Sequence, residues 1–222
     1  MKKSIALIVL LAVLVPRAQS TQPVNAVQLP SQPPVVAPDA AHGRILFLKH
    51  CVECHGPRGW GNGPLEIPGV AGQREPYIIE QLTRFANGER AGSAMHGPAM
   101  YDTLRPDDVG YPQAIRELAA YLSRAAPDPN PDHGEGRALA LGKRIYSTGC
   151  AACHGDDGAG SDTEVLPRLA GQHYLYLLEQ LRGYAVVHRL PSDPADVAGL
   201  TVDERQALAD YLSRLSGAAS GP

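Results

Sequence analysis

Two pentapeptides hold the most reactive side chains of this 222-residue chain: Cys51-Val52-Glu53-Cys54-His55 and Cys150-Ala151-Ala152-Cys153-His154. Two thiols at that spacing, followed at once by an imidazole, are what attachment of a c-type haem uses. The thiols form thioether bonds to both vinyl groups of one porphyrin, and the imidazole binds its iron. All four cysteines of the chain lie in these two runs. Two Cys-x-x-Cys pairs would also suit zinc or redox dithiols, and an even cysteine count in an exported chain would suit disulfides. None of these explains a histidine in the same place after both pairs. The reading is therefore two covalent haem c groups, attached at Cys51, Cys54, Cys150 and Cys153, with His55 and His154 as iron ligands.

The elements that must position these groups are duplicated. Shifted by 99 residues, the chain matches itself without a gap from 43 to 90. Gly43 falls on Gly142, Phe47 on Tyr146, Gly59 on Gly158, and Ala71-Gly72-Gln73 on Ala170-Gly171-Gln172. Tyr77 falls on Tyr176, Glu80-Gln81-Leu82 on Glu179-Gln180-Leu181, and Arg90 on Arg189. A register held that long marks a duplication. The offset then drops to 90, because Tyr121-Leu122-Ser123-Arg124 corresponds to Tyr211-Leu212-Ser213-Arg214, so the second half is nine residues shorter between these blocks.

Apolar spacing predicts a helix over 40–50 and 137–149, a second over 76–87 and 174–187, and a last over 113–125 and 203–215. No stretch alternates as a strand does. Each half is then a small all-α unit, short of apolar residues for its size, whose core the porphyrin completes. Pro127, Pro129 and Pro131 stop the last helix of the first half and stiffen the connection that follows.

At the start, Lys2 and Lys3 precede eleven apolar residues, 5–15, ended by Pro16 and followed by Ala18-Gln19-Ser20. This is the layout of a cleavable signal peptide, and eleven residues fall short of the roughly 20 that cross a bilayer. The expected organisation is signal peptide 1–20, a Pro-rich leader without periodicity at 21–38, a first domain 39–126, a linker 127–133, a second domain 134–217 and a tail 218–222. Removing residues 1–20 leaves 17 basic against 23 acidic residues, a formal −6. That balance argues against a nucleic-acid partner and permits docking to a basic protein patch.

Taken together, a glycine and an aromatic residue ahead of each Cys-x-x-Cys-His, a glycine-rich loop, Ala-Gly-Gln, Tyr, Gln-Leu and a closing Tyr-Leu helix, twice over, resemble the dihaem cytochromes c of the cytochrome c4 type. The resemblance covers nearly the whole chain after the leader. It implies two tandem class I cytochrome c folds in the periplasm, carrying electrons within a respiratory chain. The implied partners are redox proteins: a dehydrogenase or quinol-oxidising complex as donor and an oxidase as acceptor. No transmembrane span is expected after processing, and a loose association with a membrane surface is compatible with this role.

The resemblance also implies a methionine on the sixth position of each iron, in the loop beyond Arg90 or Arg189. Besides Met1 the chain has only Met95 and Met100. Spacing from Arg90 favours Met95, and counting back from Leu104 brings in Met100. The corresponding loop of the second half, 190–200, contains no methionine. Three readings compete for that iron: an open or water-bound face, ligation by His188, or ligation by His173. His42, His50, His96 and His133 receive no role. An open second iron keeps an enzyme reading alive beside the carrier, as a peroxidase-like enzyme or an oxidoreductase of small oxyanions. A cytochrome subunit permanently bound to a dehydrogenase or oxidase shares the carrier's chemistry.

Overall fold

The computed structural model describes residues 37–90, Met95, 111–185 and 195–217. The expected signal peptide 1–20, the leader up to residue 36, Met100, His188 and the tail 218–222 lie outside the described residues. Among those described the chain is helical, with only two isolated bridges, Asn62 to Ile67 and Ser161 to Leu166. The bridges occupy the same place in each repeat, in the turn after each pentapeptide. No described helix is long and apolar enough to cross a membrane.

In the first half, helix α1 (Ala40–His50) leads into a single turn α2 (Val52–His55), followed by α3 (Glu75–Ala86) and α4 (Tyr111–Arg124). The second half repeats this with α5 (Leu139–Gly149), α6 (Ala151–His154), α7 (Tyr174–Ala185) and α9 (Val202–Ser213), the last preceded by a short turn, α8 (Ala195–Ala198). Asp39 starts α1 by accepting from the Ala41 N–H at 2.8 Å, while Lys49 and His50 face the negative end of the helix. A reciprocal cap starts α9: the Thr201 hydroxyl accepts from the Glu204 N–H, and the Glu204 carboxylate accepts from the Thr201 N–H.

The first and last helices of each half cross where a glycine removes the side chain. A Cβ on Gly43 would lie 1.9 Å from the Glu117 carbonyl oxygen of α4, and one on Gly142 would lie 2.1 Å from that of Ala207 in α9. This contact explains why glycine recurs inside two helices, where it costs stability relative to alanine. One turn later, Phe47 and Tyr146 are completely buried. Their rings meet Tyr121 at 5.6 Å and Tyr211 at 5.8 Å. Ile78, Leu82, Phe85, Ile115 and Leu118 complete the first core, and Leu177, Leu178, Leu181, Leu208 and Leu212 the second.

The expected helix bounds shift by one or two residues at several ends. α5 begins at Leu139 rather than 137, because the preceding chain is pinned to α9: the Gly136 N–H donates to Asp210 at 2.6 Å and Arg214 donates to the Gly134 carbonyl at 2.6 Å. α9 ends at Ser213 rather than 215, where the N–H groups of Arg214 and Leu215 close tighter turns onto Tyr211 and Leu212. α4 begins at Tyr111, two residues before the expected start.

The two halves pack together, their described residues forming one compact unit. The segment joining them is seated rather than free. Asp132 lies so close to Gly63 that a Cβ there would come 1.7 Å from its carboxylate, and its carbonyl accepts from the Tyr174 N–H at 3.3 Å. The Trp60 indole N–H donates to the Ala126 carbonyl at 2.9 Å.

Candidate functional site

Each pentapeptide begins as its leading helix ends. The Cys51 N–H donates to Phe47 and the Cys150 N–H to Tyr146, and one further turn joins His55 to Cys51 and His154 to Cys150, all at 2.9 Å. This places the first cysteine and the histidine of each motif on one face of a turn. Cys51 and Cys150 are half-buried against the two cores, whereas Cys54 and Cys153 are exposed. None of the four is joined in a disulfide.

The histidines are oriented alike. Nδ1 of His55 lies 3.0 Å from the Pro68 carbonyl, and Nδ1 of His154 lies 3.1 Å from that of Pro167. A carbonyl only accepts, so Nδ1 carries the proton and Nε2 keeps its lone pair for a metal. Burial holds both imidazoles below their ordinary pKa, which favours the neutral form that binds iron. Burial, reinforced by Cys54, pushes the Cys51 thiol up to about 11. The donor set therefore fits a haem: two thiols and one neutral imidazole per half, with the first thiol of each pair set against an apolar core. Among the described residues no three of His, Cys, Asp and Glu gather as a metal cluster, which a zinc site built from both pairs would need.

Met95 packs against the same core as Cys51. On the second core, beside Cys150, the residues that arrive from the corresponding loop are Val197 and Leu200. His188 lies outside the described residues. His173 is committed elsewhere, which corrects its candidacy as an iron ligand: its Nδ1 contacts the Asp132 carboxylate and its Nε2 lies 2.7 Å from the Trp60 carbonyl. Of the histidines without a role, His42 pairs with the buried Glu117 at 2.7 Å and His133 meets the Ser213 hydroxyl at 3.3 Å.

Sequence reasoning missed the seam between the halves. Gln73 accepts from the Arg168 N–H at 2.7 Å and donates to the Arg168 carbonyl at 3.0 Å. Its counterpart Gln172 accepts from the Gly69 N–H at 2.9 Å and donates to the Gly69 carbonyl at 2.8 Å. Because Gly69 and Arg168 are equivalent in the repeat, these contacts obey a pseudo-two-fold axis. Arg74, equivalent to His173, donates to the Ala159 carbonyl at 2.7 Å just as His173 meets Trp60. The buried Arg90 spans both halves, donating to Gln81 at 2.8 Å and to Gln180 at 2.9 Å with its guanidinium over the Phe85 ring. A signal was present: glutamine stood at the same loop position in both repeats, where a polar side chain needs a partner.

A fold of this kind, duplicated around two Cys-x-x-Cys-His turns, defines a two-domain haem protein. The cytochrome c family model matches residues 40–126 and again 139–216, and the chain belongs to that family, carrying two covalent haem c groups in an electron-transfer protein. More particularly it is cytochrome c4-like. It is 32% identical over 180 residues to a cytochrome c4 of Thiocapsa roseopersicina, covering 75% of this chain and 87% of that protein. It is 31% identical over 177 residues to a protein named thiosulfate dehydrogenase electron acceptor from Thiomonas intermedia, covering 73% of this chain and 77% of the other. The structure of reduced recombinant cytochrome c4 from Pseudomonas stutzeri superposes with a TM-score of 0.67 at 26% identity, over 81% of this chain and 100% of that one.

Proposed function

We propose that the chain is an exported, periplasmic electron carrier in which His55 and His154 are the proximal ligands of the two irons. The observation that carries this is the paired imidazole geometry, each Nδ1 tied to a proline carbonyl with Nε2 left for the metal. The haems supply one-electron chemistry, and the chain's own residues hold them, exclude water and set their potentials. The signal-peptide pattern at residues 1–20 supports export. The similarity to an electron acceptor of thiosulfate dehydrogenase supports a dehydrogenase as donor.

Met95 is the sixth ligand of the first haem in this reading, and Met100, outside the described residues, is the alternative. Thioether ligation raises a haem potential, so the second haem, without a methionine in its own half, has the lower potential of the pair. The same absence, together with Val197 and Leu200 on the second core, favours a second reading in which that iron binds small molecules and acts on peroxide or a small oxyanion.

The test is the absorption spectrum of protein matured in a host able to attach haem. Two iron porphyrins per chain, one near-infrared methionine–iron band and a low-spin second haem support the carrier. A high-spin component that shifts with cyanide or peroxide favours the enzyme. A single porphyrin per chain overturns both.

A further inference from the structure

The peptide bond that receives each proximal histidine is gripped by the other half of the molecule. His55 donates to the Pro68 carbonyl at 3.0 Å, and the N–H of that same peptide unit, carried by Gly69, donates to Gln172 of the second half at 2.9 Å. On the other side, His154 donates to the Pro167 carbonyl at 3.1 Å, and the N–H of that unit, on Arg168, donates to Gln73 of the first half at 2.7 Å. The second contact each glutamine makes, from its amide nitrogen to the next carbonyl, fixes the loop in both directions.

A peptide unit is one resonance system, so electron density given to its N–H end is felt at its oxygen. An acceptor on the N–H makes the carbonyl a better acceptor in turn, and chains of hydrogen bonds strengthen one another in this way. A stronger bond at Nδ1 makes the imidazole a more basic ligand, which favours the ferric iron and lowers its potential.

We propose that the two glutamines are positioning residues that act crosswise: Gln172 tunes the potential of the first haem and Gln73 that of the second. Each half of the duplicated chain therefore sets the redox level of the other, and the two haems keep their working potentials only while the seam is closed. The inference rests on His55 and His154 being the proximal ligands.

The experiment is a spectroelectrochemical titration of the full-length holoprotein, with the two haems told apart by NMR of their methyl groups. Gln172→Leu and the near-isosteric Gln172→Met both remove the acceptor while filling the space. Each is expected to favour reduction of the first haem at least three-fold, about 30 mV for one electron, with the second haem unmoved. Gln73→Leu and Gln73→Met are expected to do the reverse. No shift, an equal shift in both haems, or a shift confined to the haem of the substituted half overturns the proposal, the last two being what a loosened seam or a local disturbance gives. The proximal assignment is checked separately with His55→Gly and His154→Gly. Loss of the low-spin spectrum of one haem, restored by added imidazole, upholds it whatever the glutamine variants do, and an unchanged spectrum overturns it.

Discussion

Nε2 of His173 lies 2.7 Å from the carbonyl oxygen of Trp60, a contact between two residues that belong to different copies of the repeat. Nδ1 of the same ring meets the Asp132 carboxylate on the connecting segment, so one side chain, 6% exposed, ties both halves and the strap between them. His173→Ala leaves an acceptor and a carboxylate facing a hole. The expected cost is about 2 kcal/mol, the range for stranding buried polar groups. Denaturant unfolding of the holoprotein measures it, and the spectra of both haems are expected to stay as they were, since both nitrogens of this ring are engaged by Asp132 and Trp60.

Gly43→Ala places a methyl group 1.9 Å from the Glu117 carbonyl oxygen, which is backbone and cannot swing aside. α1 and α4 must separate, with a loss of roughly 2 to 3 kcal/mol, within the range for overpacked contacts. Gly142→Ala does the same to α5 and α9, where the distance is 2.1 Å. Thermal melting followed at the Soret band gives the size of each effect, and an unchanged melting temperature would refute the crossing.

Val165 adopts φ 57°, a left-handed conformation that its branched side chain resists, and Glu66 takes the same angle at the equivalent place. Val165→Gly relieves that strain at an exposed position. A gain of about 1 kcal/mol is expected, left-handed backbone costing roughly 1 to 2 kcal/mol for a residue with a Cβ. Urea titration resolves a change of that size.

Met95→Leu removes the thioether that packs beside Cys51 while keeping its bulk. The near-infrared methionine–iron band is expected to vanish and the potential of the first haem to fall, because an axial thioether raises it. Met100→Leu leaves both unchanged. The opposite pair of results transfers the ligand role to Met100.

Acid reaches the molecule at the start of α9. Hydrogen bonds from the Thr201 backbone and then its hydroxyl hold the Glu204 carboxyl below its usual pKa. A group depressed on folding stabilises above its unfolded pKa, about 4.3 for glutamate, and loses that contribution as the pH falls through the folded value. Melting temperatures measured downward from pH 6 should decline below about pH 4.5, and Glu204→Gln, which still closes the cap, removes part of that slope.

Much of this was written in the sequence because covalent attachment and helical packing leave periodic marks. The Cys-x-x-Cys-His turns located the cofactors and the apolar spacing located the helices, while Gly43 and Gly142, matched in the repeat, mark where the structure crosses those helices. The seam left a fainter mark, a glutamine repeated at one loop position. Gln73 and Gln172 look the same in a sequence whether they face solvent or another domain, and only the pairing of Gly69 with Gln172 shows that the repeat closes on itself. His173 misled for the same reason: an imidazole near a missing ligand invites coordination, and its two acceptors came from distant parts of the chain.

The seated segment 127–133 has a consequence for how the molecule breaks. Its neighbours already bind one another through the reciprocal glutamines, so a protease that clips there cuts the tether and not the complex. The two fragments should travel together through a sizing column until denaturant parts them.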